Sequence, residues 1–323
     1  MEDCSRLKDP ILVVGDSKLA CSLTACLLKA GDEVIMYTSN DKAVEVINAH
    51  LQYQQIISPQ AACSKHFSTI DNLDTPLNCK IAFAVSNECV NEKRNILKKI
   101  ESIVAEDTII AINIESIALS ELHVTAKNPE RVIGTNWVEP VHTTSFLEII
   151  TNDCTNEEAA QELYQIAKLF WEKDPYLLKS DSGIRSKIMA ALIREACFLI
   201  ENGYSTVEDI DRACRNDAGY YLPFAGNFRY MDLMGTYAYG MVMKDLNPEL
   251  CKDEKIPEWV TNIINDSGEG MVKNKGFYTY KEGEVKNWEE KFQAFSHEIK
   301  EIIDKYPFNY LEEFTPVNKE LYS

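Results

Sequence analysis

Short, unbroken apolar blocks alternate with longer one-sided stretches through the first half of the chain. Ile11–Val14 is a β-branched run that Gly15 closes. From 17 to 30, apolar residues Leu19, Leu23, Cys26 and Leu27 recur on one side, which predicts a helix with Gly31 as its stop. Residues 33–37 (EVIMY) resume as a buried strand. A strand, helix and strand in so short a stretch predict parallel strands joined by a right-handed crossover.

The alternation continues with a helix over 41–55, a short strand over 66–70, a buried strand over 80–85 (KIAFAV), a helix over 91–104 and a strand over 108–112 (TIIAI). Strands over 131–137 and 146–151 follow, then an amphipathic helix over 157–172. This order calls for a doubly wound α/β sheet. After Lys179 strand signals nearly vanish, and helical periods dominate at 188–201, 207–214, 237–244, 259–267 and 288–304. Ser and Gly cluster at 181–183. The pattern therefore predicts a Rossmann-type α/β domain over 1–181 and a mostly α-helical C-terminal domain over 182–323. Residues 314–323 read as an extended tail.

With 323 residues, 45% of them hydrophobic, the chain can bury two cores. No apolar run reaches the length of a membrane span, and the first residues do not read as a signal peptide, so a cytoplasmic location is expected. The ten cysteines form no C-x-x-C pair, and Cys21, Cys26 and Cys197 fall in apolar helical runs, which fits free thiols in a reducing compartment. A net charge of −18 argues against nucleic acid or an anionic membrane as partner. It also makes any dinucleotide or CoA ester depend on helix N-termini or a local positive patch.

Candidate chemistry begins at the first turn. A dinucleotide fingerprint, G-x-G-x-x-G, needs its glycines for the tight turn, the approach of backbone to pyrophosphate and close helix packing. Here the segment is Gly15-Asp16-Ser17-Lys18-Leu19-Ala20, so one glycine stands and two small residues follow. The Ser17 β-carbon intrudes toward the pyrophosphate position, and Asp16 adds negative charge. Thr38 holds the place at the end of the second strand where an acid usually meets the adenosine ribose. No arginine stands close by in sequence to take a 2′-phosphate. Two readings stay open, a scaffold only or weak binding of NAD.

Three further segments carry a more specific likeness. Residues 134–140 (GTNWVEP) run on to Phe146-Leu147-Glu148-Ile149; residues 195–203 (EACFLIENG) run on to 208–211 (EDID); residues 268–270 (GEG) precede 275–278 (KGFY). In this order and spacing they resemble the H-F-F-N-P…L-V-E-V, E-A…E-x-G…E-D-I-D and G-K-G-F-Y segments of the 3-hydroxyacyl-CoA dehydrogenase family. The resemblance implies NAD as cofactor, an acyl-CoA or hydroxy acid as small-molecule ligand, and a homodimer through the helical domain.

It also implies site residues. The family's histidine base, oriented by a glutamate, falls on Asn136, and the glutamate falls on Glu148. An amide accepts no proton, although it can donate a hydrogen bond to a carbonyl oxygen. Glu88 and Lys93 fall on residues that contact the cofactor in the family. Positions that touch the substrate fall on Glu115, Glu139 and Ser186, each a departure from the family's residue. Lys42 and Lys65 are the only basic residues between Thr38 and Leu77, where the family holds CoA with lysines on a hairpin. His142 lies six residues from both Asn136 and Glu148, and is the candidate replacement base. Residues 223–235 (PFAGNFRYMDLMG) resemble a packing and dimer-contact region of the family, so the aromatics Tyr220, Tyr221, Phe224, Phe228 and Tyr230 are expected in core and interface. Three functional readings follow: a homologue that has lost dehydrogenase chemistry and serves as a binding or regulatory protein; an active NAD-dependent oxidoreductase with a relocated base; or a lyase or isomerase working through Glu148 or Glu139.

Overall fold

The computed structural model describes residues 7–53, 66–267 and 270–306. The predicted tail over 314–323, Lys65, and part of the 268–270 segment lie outside these. Within the described residues the chain divides into a first unit ending at Ser186 and a second beginning at Lys187.

The first unit is built on an eight-stranded sheet in the order β3-β2-β1-β4-β5-β6-β7-β8. β1 (Ile11–Val14), β2 (Val34–Tyr37), β3 (Phe67–Ile70), β4 (Ile81–Ala84), β5 (Ile109–Asn113) and β6 (Val132–Asn136) run parallel. β7 (Phe146–Thr151) pairs antiparallel to β6, and β8 (Asp174–Lys179) parallel to β7. The sheet is thus mixed, where alternation alone suggested parallel strands throughout. The connection over 137–145 is too short for the crossover that a parallel neighbour needs. β2 and β3 also pair in parallel, with a helix between them.

Helices α1 (Lys18–Ala30), α2 (Ala43–Tyr53), α3 (Val90–Ile103), α4 (Leu119–His123) and α5 (Glu157–Phe170) supply the flanking layers. The central strands are buried on both faces, as their unbroken apolar sequences require. One core packs α1, α2 and α5 against one face, and a second packs α3 and α4 against the other. Gly31 ends α1 in the left-handed region at φ 90°, and its N–H returns to the last turn.

The second unit is helical: α6 (Arg185–Glu201, entered from the first unit), α7 (Val207–Ala213), α8 (Gly219–Met234), α9 (Thr236–Leu246), α10 (Glu258–Ser267) and α11 (Glu284–Lys305). Thr206 opens α7 with a capping box to Asp209. α8 has no counterpart among the predicted helices because Pro223 and Gly226, the latter at φ 65°, interrupt its period. Its aromatics do not form a core within the chain, since Tyr220, Phe224 and Phe228 are exposed. Among the described residues no helix is long and apolar enough to cross a membrane.

Candidate active site

Strand register assembles the centre of the site. Asn136, at the end of β6, lies directly opposite Glu148 on β7, and Glu148 lies opposite Tyr176 on β8. Paired residues on neighbouring strands present their side chains on the same face, so three polar groups meet in a row. Asn136 and Glu148 are both 0% exposed. A buried carboxylate must find donors, and Glu148 finds four. Its Oε2 accepts from Asn136 Nδ2 at 2.9 Å. Its Oε1 accepts from the Tyr176 hydroxyl at 2.9 Å and from the backbone N–H groups of Ile184 and Arg185 at 3.1 and 2.9 Å.

The last two donors are the opening N–H groups of α6, which have no partner inside the helix. Glu148 thus caps α6 from across the sheet, with its charge at the favourable end of the helix dipole. Gly183 makes the approach possible. A β-carbon there would stand 2.3 Å from Glu148 Oε2 and 3.4 Å from Asn136 Nδ2. Burial, reinforced by the adjacent Glu148 carboxylate, pushes the Tyr176 hydroxyl above its usual range, so it stays a donor.

The orientation of Asn136 decides what a ligand meets. Its Nδ2 faces Glu148, and its Oδ1 is buried with no hydrogen-bond partner. The carboxylate claims one N–H of the amide, and Oδ1 is left as an unpartnered acceptor. Asn113 Oδ1, at the end of β5, and Ser186 Oγ, in the first turn of α6, are likewise buried without partners. Buried polar atoms of this kind call for a ligand or water.

His142 sits elsewhere. Its Nδ1 is 3.3 Å from Ser22 Oγ on α1, and its ring stands 4.7 Å from that of His50 on α2. Lys173, itself buried, donates to the Val141 and Thr144 carbonyls and fixes the connection that carries it. Burial, with Lys18 next in effect, holds the His50 imidazole below its ordinary value. Among the described residues no group of three or more His, Cys, Asp or Glu side chains is placed to hold a metal.

At the other end of the same sheet edge, Gly15 packs against β4. A β-carbon there would meet the Val85 carbonyl at 2.4 Å, and Ala20 lies just beneath. Ser17 turns its hydroxyl back to cap α1 by accepting from Ala20 N–H at 3.2 Å. Lys18 in the first turn is exposed, and Leu19 packs against the core. The Asp16 carboxylate accepts from the Thr38 hydroxyl at 2.8 Å and from Ser39 N–H at 2.5 Å. Burial works against that charge, but the hydrogen bonds from Ser39 and Thr38 outweigh it and hold the carboxyl below its ordinary value.

Glu88 and Lys93 pair with each other. Lys93 is buried and donates to the Ser86 and Asn113 carbonyls at 3.2 and 2.6 Å, with Glu88 Oε2 at 3.2 Å. Glu88 Oε1 accepts from the successive N–H groups of Glu115, Ser116 and Ile117 at 2.8–2.9 Å, filling a backbone nest that would suit an anion. Although burial opposes it, these bonds and Lys93 hold the Glu88 carboxyl below its usual range. The Glu115 side chain is exposed and Glu139 is half-buried. Glu139 and Asp16, behind burial, help to push the Cys21 thiol up to about 11, which places both acids near the first turns of α1.

Residues 10–181 match the NAD binding domain of 3-hydroxyacyl-CoA dehydrogenase, and residues 184–280 match its C-terminal domain. The chain belongs to the 3-hydroxyacyl-CoA dehydrogenase family. It is 23% identical over 279 residues to 5-formyl-3-hydroxy-2-methylpyridine 4-carboxylate 5-dehydrogenase of Mesorhizobium japonicum, covering 84% of this chain and 90% of that one. To 3-hydroxybutyryl-CoA dehydrogenase of Clostridioides difficile it is 21% identical, covering 84% and 99%. In fold it is similar to a crystal structure of the former kind of enzyme, described as an NAD+ dependent dismutase, with TM-score 0.82, 20% identity and coverage of 93% and 99%. The (S)-3-hydroxybutyryl-CoA dehydrogenase of Ralstonia eutropha is similar at TM-score 0.64, 22% identity and coverage of 85% and 99%.

In the family pattern Glu148 orients a histidine; in this chain the same glutamate holds Asn136 and the start of α6. For the cofactor, the fit is best at the adenosine end. A cleft of about 150 Å³ at the ends of β1, β2 and β4 is lined by Gly15, Asp16, Tyr37, Leu73, Val85 and Ile96, among others. Its apolar walls suit a flat base and its acid suits a ribose. Tyr176 and Gly183 escape sequence reasoning. Pro175 and flanking charges hide β8, and Gly183 reads only as a boundary; the Glu148–Tyr176 register is what reveals them.

Proposed function

We propose that this family member binds NAD and a hydroxyacyl ligand but has little or no dehydrogenase activity, and so serves as a binding or regulatory protein. The carrying observation is the state of Glu148. Both its oxygens are engaged by donors, and its partner across the strand pair is an amide that takes no proton. NAD, when bound, supplies the hydride acceptor. Among the described residues at the β6–β7 pair, Asn136 offers hydrogen bonds but takes no proton, and Glu148 is committed to four donors. Relocation of the base to His142 has less support, because that ring is turned to Ser22 and His50. The names of the relatives support a small acyl-CoA or hydroxy acid as the ligand.

Asn136 Oδ1 accepts hydrogen bonds, so a ligand hydroxyl is the better complement than a ketone. With NADH present, 3-hydroxybutyryl-CoA should bind about 10-fold more tightly than acetoacetyl-CoA, the difference of one buried hydrogen bond. Titration calorimetry reads this directly, with NADH fluorescence following the cofactor. Equal affinities, or tighter binding of the ketone, would argue against the reading. NADH binding weaker than roughly 100 μM, about 5.5 kcal/mol, would sink its cofactor half.

The reading includes a homodimer through the helical unit. Its support is the apolar surface of that unit, where Ile188, Leu192, Phe224 and Phe228 are exposed, Phe228 at 83%. Light scattering should give twice the chain mass for the wild type and the single mass for a Leu192→Glu, Phe228→Glu double variant. A wild type at the single mass contradicts the dimer. A reducing, cytoplasmic setting is supported by the buried, unpaired thiols of Cys21, Cys26, Cys79, Cys197 and Cys251.

A further inference from the structure

The acid that a dinucleotide fold normally keeps at the end of its second strand is absent here, since Thr38 stands in its place. The structure nevertheless brings a carboxylate to that strand end from a different element. Asp16 follows Gly15 in the turn after β1, and its Oδ1 is held by the Thr38 hydroxyl and Ser39 N–H at the end of β2. Asn40 Nδ2 donates to the Asp16 carbonyl at 3.2 Å and fixes the backbone of the same residue. The Ser39 side chain and the Asn40 backbone add smaller hydrogen-bond contributions to the same carboxylate. The carboxylate lines the cleft between Gly15 and Tyr37, with Leu73, Val85 and Ile96 as apolar walls. Its hydrogen bonds keep it charged.

We infer that Asp16 is the ribose acid of this site: Oδ2 accepts the adenosine 2′- and 3′-hydroxyls, and Thr38 and Ser39 aim the carboxylate through Oδ1. This rests on the reading that the first unit binds a dinucleotide, and it gives that site a selectivity. A hydroxyl pair donates to a carboxylate, whereas a 2′-phosphate is repelled by it. Asp16 is thus a determinant of NAD over NADP, not merely an unfavourable charge near the pyrophosphate. Lys99 on α3 also lines the cleft, together with Glu92, and is the cation that would favour the phosphate if the inference is wrong.

The test is binding, not turnover. NADH, NADPH and ADP-ribose are titrated into the wild type, Asp16→Ala and Asp16→Asn, after melting curves establish that the variants fold. The wild type should bind NADH at least 10-fold more tightly than NADPH. Either substitution should weaken NADH and ADP-ribose by about 10-fold while leaving NADPH unchanged or improved, so that the preference collapses. Unchanged NADH affinity in the variants overturns the inference while leaving dinucleotide binding intact. So does an equal loss for all three ligands, or a wild type that prefers NADPH. A wild type that binds none of them overturns the dinucleotide reading itself, and the inference with it.

Discussion

Asn136→His is expected to raise NADH-dependent reduction of acetoacetyl-CoA by at least about 100-fold over the wild type, the lower range of what a positioned general acid–base contributes. The reason is local. Asn136 Nδ2 stands 2.9 Å from Glu148 Oε2, in directly paired strands, so an imidazole at 136 finds its orienting carboxylate already in place. Its nearer nitrogen would donate to Glu148 as Nδ2 does now. The farther nitrogen would then reach toward the ligand from the side where Oδ1 now has no partner. The rate is read from the nicotinamide absorbance, and Asn136→Gln, which adds length without a proton acceptor, should gain nothing. A histidine variant that binds both ligands as the wild type does and yet shows no gain would mean that Glu115 or Glu139 also blocks the chemistry.

Removing Glu148 should be the most damaging single change to stability. Glu148→Ala strips the acceptor from Asn136 Nδ2, which is buried, and from the Tyr176 hydroxyl and two N–H groups at the start of α6, which are part-buried. At about 1 kcal/mol per unmet group the loss is about 4 kcal/mol, or roughly 10 °C in Tm for a unit of this size. Glu148→Gln should lose less than half of that, since an amide oxygen can still cap α6. Its NH2 would face Asn136 Nδ2, however, so the Asn136 amide should turn over and present its donor to the ligand. The hydroxyl preference should then reverse in favour of the ketone. Calorimetric melting and the same ligand titrations check both parts. A Glu148→Ala protein that melts within 2 °C of the wild type, taken as about 1 kcal/mol, would deny the anchoring role.

The pattern of apolar positions carries most of the fold because strands buried on both faces and helices buried on one leave different periods. Ile11–Val14, Phe146–Thr151 and the helix ending before Gly31 are legible for that reason. β8 and α8 are not: an edge strand opening on Asp174 and Pro175, and a helix interrupted by Pro223 and Gly226, blur the period that would announce them. The site divides in the same way. Position 136 is visible in sequence because a residue type is missing from a familiar segment. The direction of its amide, the capping of α6 by Glu148 and the pairing of Glu88 with Lys93 depend on contacts between distant segments, which no local spacing records. Asp16 shows the limit most clearly. In sequence it is only an unfavourable charge, and the register of β1 beside β2 is what gives it Thr38 and Ser39 as partners.

On the proposed function, this family member holds its ligands while the amide at 136 leaves the hydroxyl proton in place. A stopped-flow single turnover tests it most directly: wild-type protein saturated with NADH, mixed with acetoacetyl-CoA and followed by nicotinamide absorbance and fluorescence together. Binding should change the fluorescence while the absorbance stays level over many minutes. An absorbance loss at about 1 s⁻¹ or faster, within the ordinary range of enzyme turnover, would contradict it.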